Sequence, residues 1–226
     1  MTTVDWRPSY RIIDSRFPFV SLFDRIADPA DLEAVVAFES LTNERILDDA
    51  GDIRLVRPED RIAGAGTTSI MAAFTHTRES RFSDGTFGVY YAALSRTTAI
   101  DEVCHHKTRF LSATNEESID LDMRVYAADV QARCDDLRDA PPDDPRYAPD
   151  SYADSQAYAR DLHAANDADG VVYRSLRDRD RNGECVAVFR PRCITNCITA
   201  AYLGFRWDGH RIAEVYVREE IFRFTN

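Results

Sequence analysis

Lysine is almost missing from this chain: Lys107 stands alone among 28 basic residues, so Schiff-base chemistry has one candidate and is not expected. Arginine carries the rest. Cysteine is sparse too, and Cys104, Cys134, Cys185, Cys193 and Cys197 are odd in number, scattered and without a C-x-x-C pair, which argues against a disulfide framework or a structural zinc site. A reducing compartment fits that pattern. No apolar run approaches the ~20 residues of a membrane span, and "MTTVDWRPSYRIIDSRFPFV" holds no uninterrupted apolar segment of the signal-peptide kind. A cytoplasmic protein with no membrane partner is expected. Basic charge is also short: 28 Lys and Arg face 39 Asp and Glu, a net charge of -11 that repels a nucleic-acid backbone. Direct nucleic-acid binding is not expected.

Several catalytic signatures are absent as well. There is no G-x-S-x-G elbow, so acyl transfer has no foothold. Gly64 and Gly66 are followed by Ser69 rather than a third glycine, and "RPEDRIA" before them is no buried strand, so a dinucleotide fingerprint is rejected. Both glycines read as turn positions needing positive φ. Cys104, His105 and His106 bear metal-capable side chains, but neighbouring helical residues point in different directions, so they read as helix surface and no metal is expected.

What is present is ordinary globular composition, 44% hydrophobic and 30% charged over 226 residues, enough for one domain spanning 1–226. Asp28 as N-cap and Pro29 after it predict a helix through "ADPADLEAVVAFESL", with Leu32, Val35 and Val36 on one face. Ile53–Val56 reads as a short strand, and "RIAGAGTTSIMAAF" as a glycine-rich loop entering an apolar run. "FGVYYAAL" is a mostly buried strand, and a helix "TTAIDEVCHHKTRFL" follows, capped by Thr97 or Thr98. "SIDLDMRVYAADV" alternates as a half-exposed strand, and "DDLRDAPPDDPRYAPD" is a surface loop. "SYADSQAYARDLHAAN" is helical, "DGVVYRS" and "ECVAVFR" are strands, and "AAYLGFRWDGHRIAEVYV" is a hairpin with a tight turn at Asp208 and Gly209. The fold class expected is α+β, a single domain with a mixed central sheet and flanking helices, built from an N-terminal helical segment over about 1–50 and a core over about 54–217.

The helix after "FGVYYAAL" carries an apolar stripe through Ala99, Val103, His106 and Phe110, with Glu102 beside it. A carboxylate there must be hydrogen-bonded, paired or lining a cavity, because an unpaired buried charge costs several kcal/mol. It is either an edge residue paired with an arginine or the acid of a site. Arg81 lies just before the strand, Tyr91 within it, and Ser175 at the end of "DGVVYRS", and polar groups at strand ends commonly line clefts. Arg57, Arg61 and Arg174 are either phosphate-holding or solvated surface.

Taken together, "SRFSDGTFGVYYAA", "TAIDEV", "DADGVVYRS" with "CVAVFRP" behind it, and "YLGFRWDG" resemble the RES domain, named for arginine, glutamate and serine, over roughly Arg54 to Val217. Members are toxins of RES-Xre toxin-antitoxin modules. The resemblance implies that Arg81, Glu102 and Ser175 are the catalytic trio and that Tyr91 is the pocket tyrosine. Tyr90 is its ambiguous neighbour; Tyr91 is preferred because it precedes the alanine pair, and alternation lets only one of the two face a pocket. Arg57 is a further candidate for holding substrate. The resemblance also implies a fold like that of ADP-ribosyltransferases and breakdown of NAD+ by hydrolysis, or by phosphorolysis with inorganic phosphate as co-substrate. No separate cofactor is implied. An Xre-like antitoxin is the implied protein partner, in a complex holding more than one toxin copy. Transfer of ADP-ribose to a macromolecule, or a catalytically inactive nucleotide-binding module, are the alternatives.

The residue types suit that chemistry in their own right. Cleaving the ribose–nicotinamide bond builds oxocarbenium-like charge that a carboxylate such as Glu102 stabilises. Arg81 offers a fork of donors to a pyrophosphate, and Tyr91 a π-face to nicotinamide. Ser175 either holds the attacking water or phosphate, binds a ribose hydroxyl, or simply bonds to backbone at a strand end.

Overall fold

In the computed structural model, which describes residues 1–15, 23–26, 28–40, 51–141, 143–149, 151–179 and 182–218, nine strands and four α-helices form one α+β domain. The strands are β1 (Thr2–Asp14), β2 (Glu79–Ser80), β3 (Ser83–Asp84), β4 (Tyr90–Ala93), β5 (Ile119–Asp136), β6 (Gly170–Arg174), β7 (Glu184–Val188), β8 (Ile194–Trp207) and β9 (Ile212–Arg218). The helices are α1 (Leu32–Ser40), α2 (Thr67–Thr75), α3 (Arg96–Ser112) and α4 (Ala153–Ala165).

Seven strands pair in the order β1-β4-β7-β6-β5-β8-β9, and β1 pairs with β5 as well. The pairings β1–β4, β4–β7, β7–β6, β6–β5 and β5–β1 therefore run in a closed circuit, from which β8 and β9 extend. Only β5–β6 is parallel, so the sheet is mixed. Strand β5 makes this possible by its length: β1 lies along one edge from Met123 to Cys134, while β8 pairs from Ile119 to Val130 and β6 from Cys134 to Asp136.

Alternation along β4, β7 and β6 feeds two apolar layers, one on each face. Tyr90, Ala92, Val172, Val186 and Val188 join Leu32 and Val36 of α1 and Ile70, Met71 and Phe74 of α2. Ala93, Val171, Tyr173, Cys185 and Ala187 join Ala99 of α3 and Ala159 of α4. Each such buried Val, Leu or Phe contributes roughly 1.5–3 kcal/mol relative to exposure. At Gly88, just before β4, an added Cβ would lie 2.2 Å from Phe74 Cα, so only glycine lets α2 pack this closely.

Helix α3 starts at the cap Ser95, whose Oγ accepts from Thr98 N at 3.0 Å, a little earlier than the Thr97 or Thr98 cap read from sequence. Near its C-terminus the lone lysine, Lys107, donates to both oxygens of Asp14 at 2.7 Å and ties α3 to the end of β1. Other expectations are corrected too. The segment over about 1–50 is not helical at its start, because residues 2–14 form β1; residues 41–50 lie outside the described residues. Ile53–Leu55 is a 3-10 turn closed by Asp52, whose carboxylate accepts from Arg54 N, rather than a strand. The hairpin between β8 and β9 turns through four residues after Trp207, with Asp208 Oδ1 accepting from His210 N and Arg211 N, rather than through a two-residue turn. Gly64 and Gly66 do adopt positive φ, at 103° and 80°.

Candidate active site

Where β1, β4 and α3 meet the loops around Arg81 and Arg177, they enclose a cavity of about 700 Å³, a size usual for small-molecule sites. Arg81, Tyr91 and Glu102 line it, although they are brought from a turn, a strand and a helix. Ser175 is not part of the lining but lies directly behind Glu102, only 6% exposed.

Helical spacing on α3 turns Glu102 toward the cavity beside Ala99, Val103 and His106. Glu102 Oε1 accepts a 2.5 Å hydrogen bond from Ser175 Oγ. The same Oγ accepts from the backbone amides of Arg177 at 3.1 Å and Asp178 at 2.9 Å, which occupies both acceptor positions of the hydroxyl. Its single proton is thus committed to the carboxylate, and Ser175 orients Glu102 rather than facing a substrate. Asp178 braces this from behind: its carboxylate accepts from Thr98 Oγ1, Asn182 N and Gly183 N. The second oxygen of Glu102 looks toward His106, with Oε2 and Nε2 3.7 Å apart.

Arg81 is held rather than loose. Its Nη1 donates to the carbonyls of Arg146 and Ala148, both at 3.1 Å, and its guanidinium lies 4.8 Å over the Tyr152 ring. The remaining guanidinium donors are available to an anion. Tyr91 secures the same loop, since its Oη accepts from Phe82 N at 2.9 Å and bonds Ser80 Oγ at 2.8 Å. Burial above all pushes the Tyr91 hydroxyl up to about 12, so it stays protonated and neutral.

Tyr90 faces the opposite layer, 1% exposed, outside the cavity, with the Arg11 guanidinium 4.8 Å over its ring. Arg57 is also outside the cavity, where it donates to Asn166 Oδ1 and His163 O. Arg61 pairs with Glu33 at 3.2 Å, and Arg174 reaches Asp139 at 3.5 Å on the surface. These residues are not brought together with Glu102.

Sequence reasoning missed other lining groups, among them Arg11, His106, Arg109, Tyr152 and Arg177. Arg11, on β1, donates from Nη1 to Tyr91 O at 3.1 Å. Burial holds its guanidinium below the ordinary arginine value. Four arginines line the cavity against two glutamates, in a chain whose net charge is -11. Thirteen other arginines are ion-paired to acidic groups, whereas no ion pair to Arg11, Arg81, Arg109 or Arg177 is seen among the described residues. The cavity is thus a locally cationic hole in an acidic molecule. One signal was legible: His106 is four residues from Glu102, hence on the same helix face. Arg11 and Tyr152 had none, because long-range pairing alone brings them in.

Comparison with known proteins gives two results. The family model of the RES domain matches residues 58–208, which include β2 to β8 and α2 to α4 with the whole of Arg81, Tyr91, Glu102 and Ser175. The uncharacterized protein y4oC of Sinorhizobium fredii is 28% identical over 213 residues, covering 93% of this chain and 87% of that protein.

Proposed function

The chain belongs to the RES domain family, and from that premise we propose that it is the toxin of a toxin-antitoxin module and arrests growth by cleaving the nicotinamide–ribose bond of NAD+. One observation carries the reading: a carboxylate held in place by Ser175, Glu102, faces a cavity whose other charges are mostly arginine. Arginine-rich walls suit the pyrophosphate of a dinucleotide, bound in ground and transition state alike. The oriented carboxylate of Glu102 suits the positive charge that develops on the ribose only as the bond breaks. The Tyr91 ring offers nicotinamide a flat apolar surface.

In this reading Arg81 and Arg11 take the phosphates, Glu102 stabilises the oxocarbenium, and Ser175 keeps Glu102 in place. Acceptors are water or inorganic phosphate. An Xre-like antitoxin neutralises the activity. Incubating the purified protein with NAD+ and separating the products by chromatography tests the core claim: nicotinamide release above the no-enzyme level is expected. Nicotinamide at background both with and without inorganic phosphate would overturn it.

A further inference from the structure

We propose that His106 is a further catalytic residue, the base that takes the proton of an acceptor water held between its Nε2 and Glu102 Oε2. The inference rests on the NAD+-cleaving reading of the same cavity. Its foundation is geometric. Glu102 Oε1 is committed to Ser175, which leaves Oε2 as the free oxygen, and His106 Nε2 stands 3.7 Å from it. That gap is too wide for a direct hydrogen bond, yet one water oxygen can lie at about 2.8 Å from both atoms. Both residues line the cavity, and the His106 side chain is 57% exposed, so a water reaches this point without any rearrangement.

A base is useful only if it is neutral when the reaction runs. Around the imidazole stand Glu102 and Arg109 on its own helix, His105 beside it with the rings 5.6 Å apart, Arg81 from the turn between β2 and β3, and Arg177 from the segment after β6. Desolvation first, then the charges of Arg177, Arg81 and Arg109, hold His106 below the ordinary histidine value. It is the neutral form that meets the acceptor near pH 7.

The step balances. The bond between ribose C1′ and the pyridinium nitrogen breaks with its electron pair leaving on nicotinamide, which departs neutral. The water oxygen bonds C1′, and its proton passes to Nε2. ADP-ribose remains, and the imidazolium returns the proton to solvent.

The test is nicotinamide release from NAD+ by the wild type, by His106→Gln and by Glu102→Gln, across pH and with or without azide. Azide is already anionic and needs no base. A general base contributes about 10²–10⁴-fold, so His106→Gln is expected to lose about 10²-fold in water at unchanged melting temperature, to lose the acid limb of the rate profile, and to regain rate with azide. Glu102→Gln is expected to gain nothing from azide. If His106→Gln keeps the wild-type rate and acid limb, or if azide helps it no more than it helps the wild type, His106 is not the base while the NAD+ reading stands. A wild type that releases no nicotinamide overturns both.

Discussion

Two residues with different duties meet at the 2.5 Å contact between Ser175 and Glu102, and substitutions separate them. Glu102→Gln is nearly isosteric and keeps an oxygen for Ser175, but it removes the charge facing the ribose. Losing one such preorganised electrostatic group costs about 2.7–4 kcal/mol, so kcat for nicotinamide release should fall about 10²–10³-fold with little change in melting temperature. A Gln variant with wild-type turnover and an unchanged melt would remove Glu102 from the mechanism. Ser175→Ala acts indirectly. It frees Glu102 to rotate and strands the half-buried amide of Arg177 and the buried amide of Asp178, the latter an orphaned donor costing about 1–3 kcal/mol. Lower stability and lower kcat with little change in KM for NAD+ are expected. If the alanine variant instead loses only its response to inorganic phosphate, Ser175 holds the acceptor and the positioning role is wrong. The sequence pointed to Arg81, Tyr91, Glu102 and Ser175 through the combined motif, whereas the local trace of each alone, such as an acid beside an apolar stripe or a hydroxyl at a strand end, stayed ambiguous. That the Ser175 hydroxyl bonds to backbone was one of the readings open from sequence; its donation to Glu102 was not legible, because only the fold brings residues 73 positions apart together.

At the level of elements, strands and helices with a clear period or apolar run were mostly read from sequence, half-exposed β5 among them, while β1 was not and α2 was seen only as an apolar run. Strands β6 and β7 are apolar runs inside the circuit, and α4 has clean helical spacing, so each announces itself. Strand β1 does not. Its buried residues Val4, Trp6 and Ser9 break period two because the register against β5 shifts between Trp6 and Ser9, where Pro8 has no amide to give, and Ile12 is buried in the opposite layer. Yet β1 brings Arg11 to the cavity. Helix α4 makes a prediction of its own. His163 stacks on Phe87 with centroids 4.2 Å apart and 12° between planes, and burial, then Arg57 and Arg190, lower its value to about 4. An unfolded histidine titrates near 6.5, so here the unfolded chain binds the extra proton. The stability contributed by a neutral His163 is therefore full above about pH 6.5 and erodes by at most about 1.4 kcal/mol per pH unit toward pH 4. His163→Phe keeps the stacking surface without the titration. Melting temperatures from pH 7 to pH 4 should fall less steeply in that variant, and parallel curves would show that His163 does not contribute to the acid sensitivity.

Over the whole molecule, charge is divided: -11 in total, yet four arginines gather at one cavity. This division fits the proposed function, since the cavity arginines suit a phosphate-bearing substrate while a negative net charge disfavours a nucleic-acid backbone. It also bears on the proposed antitoxin. An Xre-like partner has a helix-turn-helix region and carries basic surface for DNA, so long-range attraction to an acidic toxin speeds their encounter, and added salt should slow it steeply. Attraction of this kind sets the rate of meeting; we propose that the partner neutralises by closing the cavity that Arg81 and Glu102 line. Two outcomes follow together if the proposal holds. Expressing the chain alone lowers cellular NAD+ and halts growth, whereas expressing it with the neighbouring gene product restores both, and the two proteins co-purify with the NAD+-cleaving activity suppressed. The Glu102→Gln variant should co-purify equally well while harming nothing, because the substitution leaves the shape of the cavity mouth intact. Equal loss of growth and NAD+ with and without the second protein, and no co-purification, would show that no neutralising partner of this kind acts on it.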